Sequence, residues 1–495
     1  MNKMKLKQLT KTDFIQFLNC PESLWLFKNK PDEYPKGVFS LFLKKLIKEG
    51  YETEEYAKKL FLHGVEIPES AEPSYTEEKL KSSNKVFFQP AFITKKGQFA
   101  RIDILEKLPD DSFHIYEIKS STSIKIDKKH NHLKDACFQK FIMQECGYQI
   151  SKVSIIHLNK HYVKSGEIEA QKLLEIVDVS DEIDEIYSSV VIDINFASNY
   201  INKELINEFN CSCKTKTRSN HCDSFKIFNK IKDYNIYELR NIREKKITEL
   251  VNFNNEILTD VPHDFKLNDY QKLQIESLRQ GKPIIDNNSI SALLSDLKYP
   301  LHFIDYETYA SAIPKIDGLS PHKHLTFQVS IHTMEINGQL THYEHLADKM
   351  DLNDEMLNGM KNFTGIEGTF ISWHASFEIA RNNDMINWIP DFKDYLDYIN
   401  QNMFDLEVIF KKHYVDYKFH GSSSIKKVLP VIYPEFSYSE LDIQDGTSAL
   451  DTWGRLVEDK NFSEDKEQTK KNLLSYCELD TLAMVKIYES LKSLN

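Results

Sequence analysis

Two acidic residues two positions apart, Asp305 and Glu307, are the clearest candidates for chemistry in the sequence. They lie in the apolar run LHFIDYET, which predicts a buried strand. Because side chains alternate along a strand, both carboxylates are expected on one face. Neighbouring carboxylates raise each other's pKa, and a hard divalent cation between them removes this repulsion. The pair therefore predicts a site for Mg²⁺ or Mn²⁺.

Three residues further along the chain could complete this site. Tyr476 and Asp480 are four positions apart in the predicted helix LLSYCELDTLAM, which places them on one helix face. Glu378 ends WHASFE, just after a predicted strand, and could supply a fourth carboxylate. Four carboxylates can hold two cations roughly 4 Å apart, and such a pair stabilises the attacking and leaving oxygens of a phosphodiester displacement. We expect the carboxylates to bind metal and Tyr476 to position a water.

A second acidic set lies in the first half of the chain. Asp103 is in FARIDILEK, and Glu117 and Lys119 are in IYEIKSS, the next predicted strand. Asp103 and Glu117 could bind a divalent cation, while Lys119 could hold a phosphate or lower the pKa of the attacking water. Gln139, on the following predicted helix, could orient Lys119 or the backbone of a nucleic acid. These residues predict a second catalytic centre.

Three of the seven cysteines are clustered and suggest a metal site. Cys211, Cys213 and Cys222 form C-S-C-x8-C, and Cys20 lies near the N-terminus. An odd number of cysteines in a large chain does not indicate a disulfide framework. Thiolates at this spacing can hold zinc, with His221 as a further candidate ligand, and an interpretation without metal stays open. We expect the other three, Cys137, Cys146 and Cys477, to be buried as small apolar residues.

Composition limits the class of protein. With 495 residues, two or three domains are expected, and 41% hydrophobic with 28% charged residues is typical of folded soluble proteins. No apolar run approaches the roughly 18 residues of a membrane span, and the N-terminus has no apolar signal region, so a cytoplasmic protein is expected. The net charge of −12 does not indicate a nucleic-acid binder, although local basic stretches could hold phosphates.

The elements that must position these residues can be predicted in outline. In the first half, helices are expected over 11–28, 37–61 and 131–147, with strands over 85–93, 98–106, 113–121 and 152–159. In the second half, three antiparallel strands with a hairpin at Asn337-Gly338 precede helices that alternate with a fourth strand. The pattern predicts an α/β fold with domains at 1–225 and 296–495 and a helical connector at 226–295.

The segment 300–490 resembles the DEDD superfamily of 3′→5′ exonucleases, in its tyrosine-containing branch. Asp305 and Glu307 match the D-x-E motif, and Tyr476 and Asp480 match Y-x-x-x-D. Glu378 stands where the second motif has Asp, one methylene longer than expected. The resemblance implies a ribonuclease-H-like fold and a two-metal 3′→5′ exonuclease centre.

The segment 10–225 resembles the PD-(D/E)xK nucleases, most closely their RecB-like group. Asp103, Glu117 and Lys119 match the catalytic motif, and Gln139 matches the start of Q-x-x-x-Y, with Met143 where Tyr is expected. The resemblance implies a restriction-endonuclease-like fold. In this group one early and three late cysteines hold a [4Fe–4S] cluster. The corresponding set here is Cys20, Cys211, Cys213 and Cys222, and its C-x-C spacing leaves Zn²⁺ as the alternative.

The tandem order of the two halves resembles an uncharacterised bacterial family, on segments such as LTKTDFIQFLNCPESLWL and GSSSIKKVLPVIYP. The expectation is a metal-dependent nuclease that hydrolyses nucleic acid, with DNA favoured, in repair or defence. An RNA-processing 3′→5′ exonuclease is one alternative. A nucleic-acid-binding scaffold that has lost catalysis is the other. No membrane partner is expected.

Overall fold

The computed structural model describes residues 6–37, 41–127, 130–436, 443, 445–459 and 461–494. The chain divides into two compact units, each of which combines helices with a mixed sheet. The first unit contains Met1–Ile231, Glu244–Val251 and Ala312–His322, and the second contains Lys232–Arg243, Asn252–Ser311 and Lys323–Asn495. No helix in the described ranges is long and apolar enough to cross a membrane.

The first unit follows the predicted order of elements, with additions. Its helices are α1 Lys11–Asn19, α2 Pro21–Asn29, α3 Leu41–Lys58, α4 Pro73–Leu80, α5 His132–Glu145, α6 Ala170–Leu173, α7 Ser180–Ile201, α8 Phe225–Phe228 and α9 Glu244–Asn252, whose last residue falls in the second unit. Its strands are β1 Val65–Glu66, β2 Val86–Phe88, β3 Ala91–Ile93, β4 Phe99–Arg101, β5 Ile104–Lys107, β6 Phe113–Lys119, β7 Ile150–Leu158 and β8 Leu174–Asp178.

The main sheet of the first unit has the order β1-β2-β5-β6-β7-β8, with β6 and β7 parallel. Alternate residues of its central strands face opposite sides. Leu105, Ile115 and Ile155 pack with residues of α1, α5 and α7, whereas Ile104 and Ile156 pack in a separate cluster on the other side. The sheet is therefore covered by apolar packing on both faces. Glu117 and Lys119 of the predicted N-terminal centre lie on β6 at its middle, and Asp103 comes directly before β5.

The two strands predicted over 85–93 and 98–106 are each divided in the structure. Gln89 separates β2 from β3 and has a positive φ of 56°, a conformation that interrupts a strand. The backbone oxygen of Gln89 accepts a hydrogen bond from Arg101 Nη1 at 2.7 Å. As a result, β3 and β4 form a separate hairpin, while β2 and β5 stay in the main sheet.

The second unit begins with helices and continues into its own sheet. Its helices are α10 Asp269–Gln280, α11 Asn287–Ser295, α12 Asp354–Thr364, α13 Ser376–Trp388, α14 Lys393–Gln401, α15 Glu407–Lys412, α16 Ile425–Ile432, α17 Gly446–Glu458 and α18 Lys466–Lys492. Its strands are β9 Ile284–Ile285, β10 Leu301–Ala310, β11 His324–Met334, β12 Leu340–Leu346, β13 Thr369–Ser372, β14 Met403–Asp405 and β15 Tyr414–Val415.

The sheet of the second unit has the order β12-β11-β10-β13-β14. The strands β12, β11 and β10 are antiparallel, and β13 and β14 run parallel to β10. One face carries Ile304, Tyr306 and Val329, which pack with apolar residues of α12 to α14. The opposite face is covered by α17 and α18, and a bulge follows Glu307 in β10.

Candidate functional site

Three of the predicted metal ligands meet on the face of the second sheet that α18 covers. Asp305 and Glu307 lie on β10, and Asp480 lies on α18. One oxygen from each carboxylate lies within 4.8 Å of the other two. The alternation of the strand explains why the two β10 residues share a face, because the intervening Tyr306 packs into the core on the other side. This acidic group could hold a divalent cation.

Burial and mutual repulsion raise the pKa values in the acidic group. The pKa of Asp305 is well above its usual range, because of burial first and then the negative charges of Asp480 and Glu307. Burial and Asp480 raise the pKa of Glu307 to about 8. Neither Asp305 nor Glu307 forms an ion pair with any residue in the described ranges. A bound cation would lower these pKa values and offset the repulsion.

Glu378 lies near the acidic group but outside it. It is in the first turn of α13, is 2% exposed and adds to the repulsion at Asp305 and Glu307. Burial raises the pKa of Glu378 to about 7. Its Oε2 is buried and accepts no hydrogen bond from the residues that the structure describes. The fourth predicted ligand is therefore close enough to act electrostatically, and it has a free acceptor.

Tyr476 is one turn before Asp480 on α18 and is 3% exposed. Lys426 of α16 donates a hydrogen bond to the Tyr476 hydroxyl at 3.4 Å, and its Nζ lies 5.3 Å from the centre of the tyrosine ring. The positive charge of the same lysine lowers the pKa of Glu307. Burial and the charge of Asp480 raise this pKa and outweigh the lysine. Lys426 was not predicted as a site residue, although it lies in the segment GSSSIKKVLPVIYP.

Two further contacts of the acidic group were also not predicted. The start of α17 lies against Glu307, since a β-carbon on Gly446 would be 3.4 Å from Glu307 Oε2. Cys477, which we expected to be only a buried apolar residue, donates its thiol proton to Asp305 Oδ2 at 3.6 Å. Both depend on the packing of α17 and α18 against β10, which no local sequence pattern specifies.

The N-terminal acidic centre is arranged differently, around a single buried carboxylate. Glu117 on β6 is 1% exposed and forms ion pairs with Lys119 at 2.7 Å and with Lys11 of α1 at 2.6 Å. Gln139 of α5 donates a hydrogen bond to Glu117 Oε2. Burial would raise the pKa of Glu117, but the positive charges of Lys11 and then Lys119 outweigh burial and hold it below its usual range. Lys11 was not predicted.

The remaining predicted residue, Asp103, lies beside this carboxylate. Asp103 Oδ2 accepts a hydrogen bond from the backbone N–H of Ile118 at 2.8 Å. Burial and the charge of Glu117 raise the pKa of Asp103 to about 7. Lys119 also forms an ion pair with Asp135 of α5, another residue that was not predicted. The structure therefore brings Asp103, Glu117, Lys119 and Gln139 together, with lysines in contact with the central carboxylate.

The four predicted cysteine ligands also meet. Cys20 lies between α1 and α2, and the Sγ atoms of Cys20, Cys211, Cys213 and Cys222 lie within 4.8 Å of one another. Asn229 Nδ2 donates a hydrogen bond to Cys211 Sγ at 3.3 Å, and the contact with Cys20 contributes most to the lowered pKa of Cys211. Such an arrangement favours a thiolate, the form that binds metal. These four residues could hold a metal or a cluster.

His221, the suggested additional zinc ligand, lies outside this cysteine group. Its Nε2 is 3.1 Å from the backbone oxygen of Lys216, and its ring stacks on Phe225 with 3.4 Å between ring centroids. Cys20 and Cys222 line a cavity of about 400 Å³ together with His221. The ligand set in the structure is therefore four thiols without a histidine.

Parts of this chain are similar to uncharacterised proteins. Residues 302–424 match a family model described as "Domain of unknown function (DUF2779)". A protein of Mycoplasma pneumoniae described as "Uncharacterized protein MG366 homolog" is 28% identical over 231 residues, which cover 42% of this chain. The match spans 34% of that protein, about a third of its length. The matched family segment contains Asp305, Glu307 and Glu378 but neither Tyr476 nor Asp480.

A solved structure described as "Crystal structure of SSO0001" is 11% identical to this chain. The match covers 38% of this chain and 77% of that one, with a TM-score of 0.19. A similarity this low supports no conclusion about the fold.

Proposed function

We propose that the chain is a metal-dependent nuclease whose principal centre is the acidic group of the second unit. The observation that carries the proposal is the convergence of Asp305, Glu307 and Asp480 within 4.8 Å. Two of these carboxylates have raised pKa values because like charges are buried together. Structural carboxylates in a protein interior are normally paired with cations, whereas Asp305 and Glu307 form no ion pair with a residue in the described ranges.

The surrounding residues fit a divalent cation. Oxygen ligands suit Mg²⁺ and Mn²⁺, and Glu378 Oε2 offers a further buried acceptor near the three carboxylates. Asp305, Glu307, Asp480 and Glu378 would hold the metal. When bound, such cations lower the pKa of a water and stabilise negative charge on phosphate oxygens. The order of strands, with three antiparallel strands followed by parallel strands and helices, supports the ribonuclease-H-like interpretation of this unit.

The residues beside the carboxylates have roles consistent with hydrolysis of a phosphodiester. The hydroxyl of Tyr476 accepts a hydrogen bond from Lys426, and this phenol would position a water or a phosphate oxygen of the substrate. Lys426 brings a positive charge to the edge of an otherwise acidic site. It would bind a non-bridging phosphate oxygen of the substrate. The two residues together would orient the scissile phosphate against the carboxylates.

The N-terminal centre is proposed as a second PD-(D/E)xK site. Asp103 and Glu117 would hold its Mg²⁺ or Mn²⁺, and Lys119 would contact the phosphate. The ion pairs of Glu117 with Lys11 and Lys119 favour a different role, however. A carboxylate already neutralised by two lysines binds a cation less readily. The second candidate function for this half is therefore binding of nucleic acid without cleavage.

Four cysteines without histidine suit either a [4Fe–4S] cluster or tetrahedral Zn²⁺. Cys20 comes from the start of the first unit and the other three from the segment after α7, so either group would join these parts of the chain. We propose the iron–sulfur cluster first, on the resemblance to the RecB-like group, with Zn²⁺ as the alternative. Absorbance of the anaerobically purified protein would distinguish the iron–sulfur cluster from Zn²⁺, because thiolate-ligated iron absorbs at about 400 nm.

The proposed function is tested with end-labelled oligonucleotides. Single-stranded and double-stranded DNA and RNA are incubated with Mn²⁺ or Mg²⁺, with EDTA as the control. We expect the unmodified protein to shorten DNA from its 3′ end. This activity should be lost in D305N and E307Q. It should be kept in the control D384N, which changes a buried aspartate already paired with Arg381. Preferential shortening of RNA would instead identify an RNA-processing enzyme.

The E117Q variant separates the two centres in the same assay. Loss of one class of product in E117Q would assign cleavage to the N-terminal centre. Unchanged products with weaker substrate binding would assign binding to it. Equal activity of D305N, E307Q and the unmodified protein would refute the principal proposal.

A further inference from the structure

A pair of histidines and a glutamate form a separate group in the second unit. His332 on β11 and His342 on β12 are directly opposite each other, and their rings stack with centroids 4.3 Å apart. Glu478 lies on α18. One donor atom from each of these residues lies within 4.8 Å of the other two. None of the three is a residue assigned above to a nuclease centre.

A chain of hydrogen bonds fixes the orientation of both rings. His332 Nδ1 is 2.8 Å from Thr481 Oγ1, which is 2.7 Å from Ser330 Oγ. Ser330 Oγ is 2.9 Å from His342 Nε2. Thr481 Oγ1 also donates to the backbone oxygen of Glu478 at 3.0 Å. All four contacts are on the face of the sheet that α18 covers, and His332 is 4% exposed.

Counting protons assigns the tautomers. Four hydrogen bonds need four protons, and the two hydroxyls of Ser330 and Thr481 supply one each. The other two must come from Nδ1 of His332 and Nε2 of His342. A neutral imidazole carries a single proton, and in each ring this proton is already used in the hydrogen-bond chain. The remaining nitrogens, Nε2 of His332 and Nδ1 of His342, are therefore bare acceptors.

The bare nitrogen of His342 faces negative charge. His342 Nδ1 is 3.9 Å from Glu478 Oε1, and with this tautomer there is no proton between the two atoms. Glu344, next along the same face of β12, has its pKa raised by burial and by the charge of Glu478. The cluster thus places imidazole lone pairs beside carboxylates, with no hydrogen-bond donor between them. A cation bound there would interact favourably with both.

We propose that His332, His342 and Glu478 form a binding site for a transition-metal cation, with Zn²⁺ as its occupant. Two imidazole nitrogens and one carboxylate oxygen are a ligand set that zinc prefers, whereas Mg²⁺ prefers oxygen alone. The hydroxyls of Ser330 and Thr481 hold the rings in the ligand tautomer, as the outer partners of metal-binding histidines do. The ion would join β11 and β12 to α18, the helix that also carries Asp480.

The site is tested by the stoichiometry of bound metal. The full chain is stripped with a chelator, equilibrated with Zn²⁺ by dialysis and analysed for zinc by mass spectrometry. We expect H342Q and E478Q to bind one equivalent less than the unmodified chain. H413Q and E489Q are the matched controls, since His413 and His342 are both 23% exposed, and Glu489 and Glu478 are 48% and 46% exposed.

The cysteine and acidic groups are intact in all five proteins, so any zinc that they bind cancels in the comparison. Equal stoichiometry in E478Q and the unmodified chain would overturn the proposal. If H342Q does not fold, E478Q still decides, because Glu478 is exposed and makes no side-chain hydrogen bond with a described residue. The readout does not depend on nuclease activity, so the two proposals can fail separately.

Discussion

Asp480 on α18 is the charged neighbour that most strongly raises the pKa of Asp305 on β10. The long C-terminal helix is therefore packed on the sheet against an electrostatic repulsion between these two carboxylates. Apolar residues of α18, such as Leu473 and Met484, are fully buried and oppose this repulsion. Such a cost at one point of an otherwise apolar interface is typical of a site that is completed by a ligand.

Removing this repulsion should stabilise the cation-free protein. We expect D480N to raise the free energy of unfolding in EDTA by about 1 kcal/mol, the equivalent of about one pKa unit at a neighbouring carboxyl. With Mn²⁺ the unmodified protein should be more stable than D480N, because it gains metal-binding energy that D480N lacks. Urea unfolding followed by circular dichroism, with and without Mn²⁺, measures both. D451N, which changes a buried α17 aspartate paired with Arg455, is the control and should keep the Mn²⁺ response.

The pH dependence of the free energy of unfolding should reflect the raised pKa of Glu307. Its pKa rises from 4.5 in the unfolded chain to about 8 in the folded one. The folded state therefore binds the proton more tightly, and this contribution to stability is present at low pH and is lost as pH rises towards 8. In EDTA, the unmodified protein should lose stability relative to E307Q between pH 5 and pH 8, by up to several kcal/mol at about 1.4 kcal/mol per pKa unit. If the unfolding free energies of the unmodified protein and E307Q change in parallel across this pH range, the raised pKa of Glu307 is contradicted.

Lys426 should affect catalysis rather than folding. Its Nζ contacts the Tyr476 hydroxyl, and the proposed role is to bind a phosphate oxygen. We expect K426M to lower kcat/KM for exonuclease digestion by about a hundredfold, the usual effect of removing one donor to developing charge. K427M changes the neighbouring lysine of the same helix and should stay close to the unmodified rate. Equal kcat/KM values for K426M and K427M would show that Lys426 has no specific role in the site.

The sequence predicted the parts of the sites that depend on local periodicity. Asp305 and Glu307 share a face because of strand alternation, and Tyr476 and Asp480 are one helical turn apart. Residues that approach from distant segments were not predicted. Lys11 reaches Glu117 across 106 positions of sequence, and no pattern near either residue indicates this contact.

Some elements were also missed, because packing outweighs local preference. The helix α7 contains the run YSSVVIDINF, whose β-branched residues favour a strand locally. Val190 and Ile194 of α7 are fully buried in the core of the first unit, and this apolar packing stabilises the helix. The strand β14 is only three residues long and was not predicted, although its pairing with β13 completes the second sheet.

The four cysteines should act as one metal site. We expect C222S to lose the bound iron or zinc, because only three thiolates would remain of a four-ligand set. C146S is the matched control, since Cys146 is also half-buried and is not part of the group. Metal content after purification, together with the absorbance spectrum, measures the effect. Metal content that falls equally in both variants would show that loss of folding, and not loss of a ligand, is responsible.

The ion pair between Lys11 and Glu117 should stabilise the first unit. Glu117 is 1% exposed and the Lys11 side chain is 28% exposed, so K11M leaves a buried carboxylate with one lysine fewer. We expect K11M to lower the free energy of unfolding by about 2 kcal/mol, below the usual range for a fully buried pair because Lys11 is partly solvated. K172M breaks an exposed pair, 66% and 59% accessible, and should leave stability nearly unchanged.

A double-mutant cycle with E117Q isolates the interaction between the two residues. Because the amide that E117Q introduces carries no charge, the K11M change should cost much less in the E117Q background than in the unmodified chain. Urea unfolding of the four proteins at pH 7 gives the coupling energy. Additive effects would mean that Lys11 contributes through packing of its side chain alone. Coupling of about 1 kcal/mol or more would show that the charge of Lys11 stabilises the buried Glu117 carboxylate.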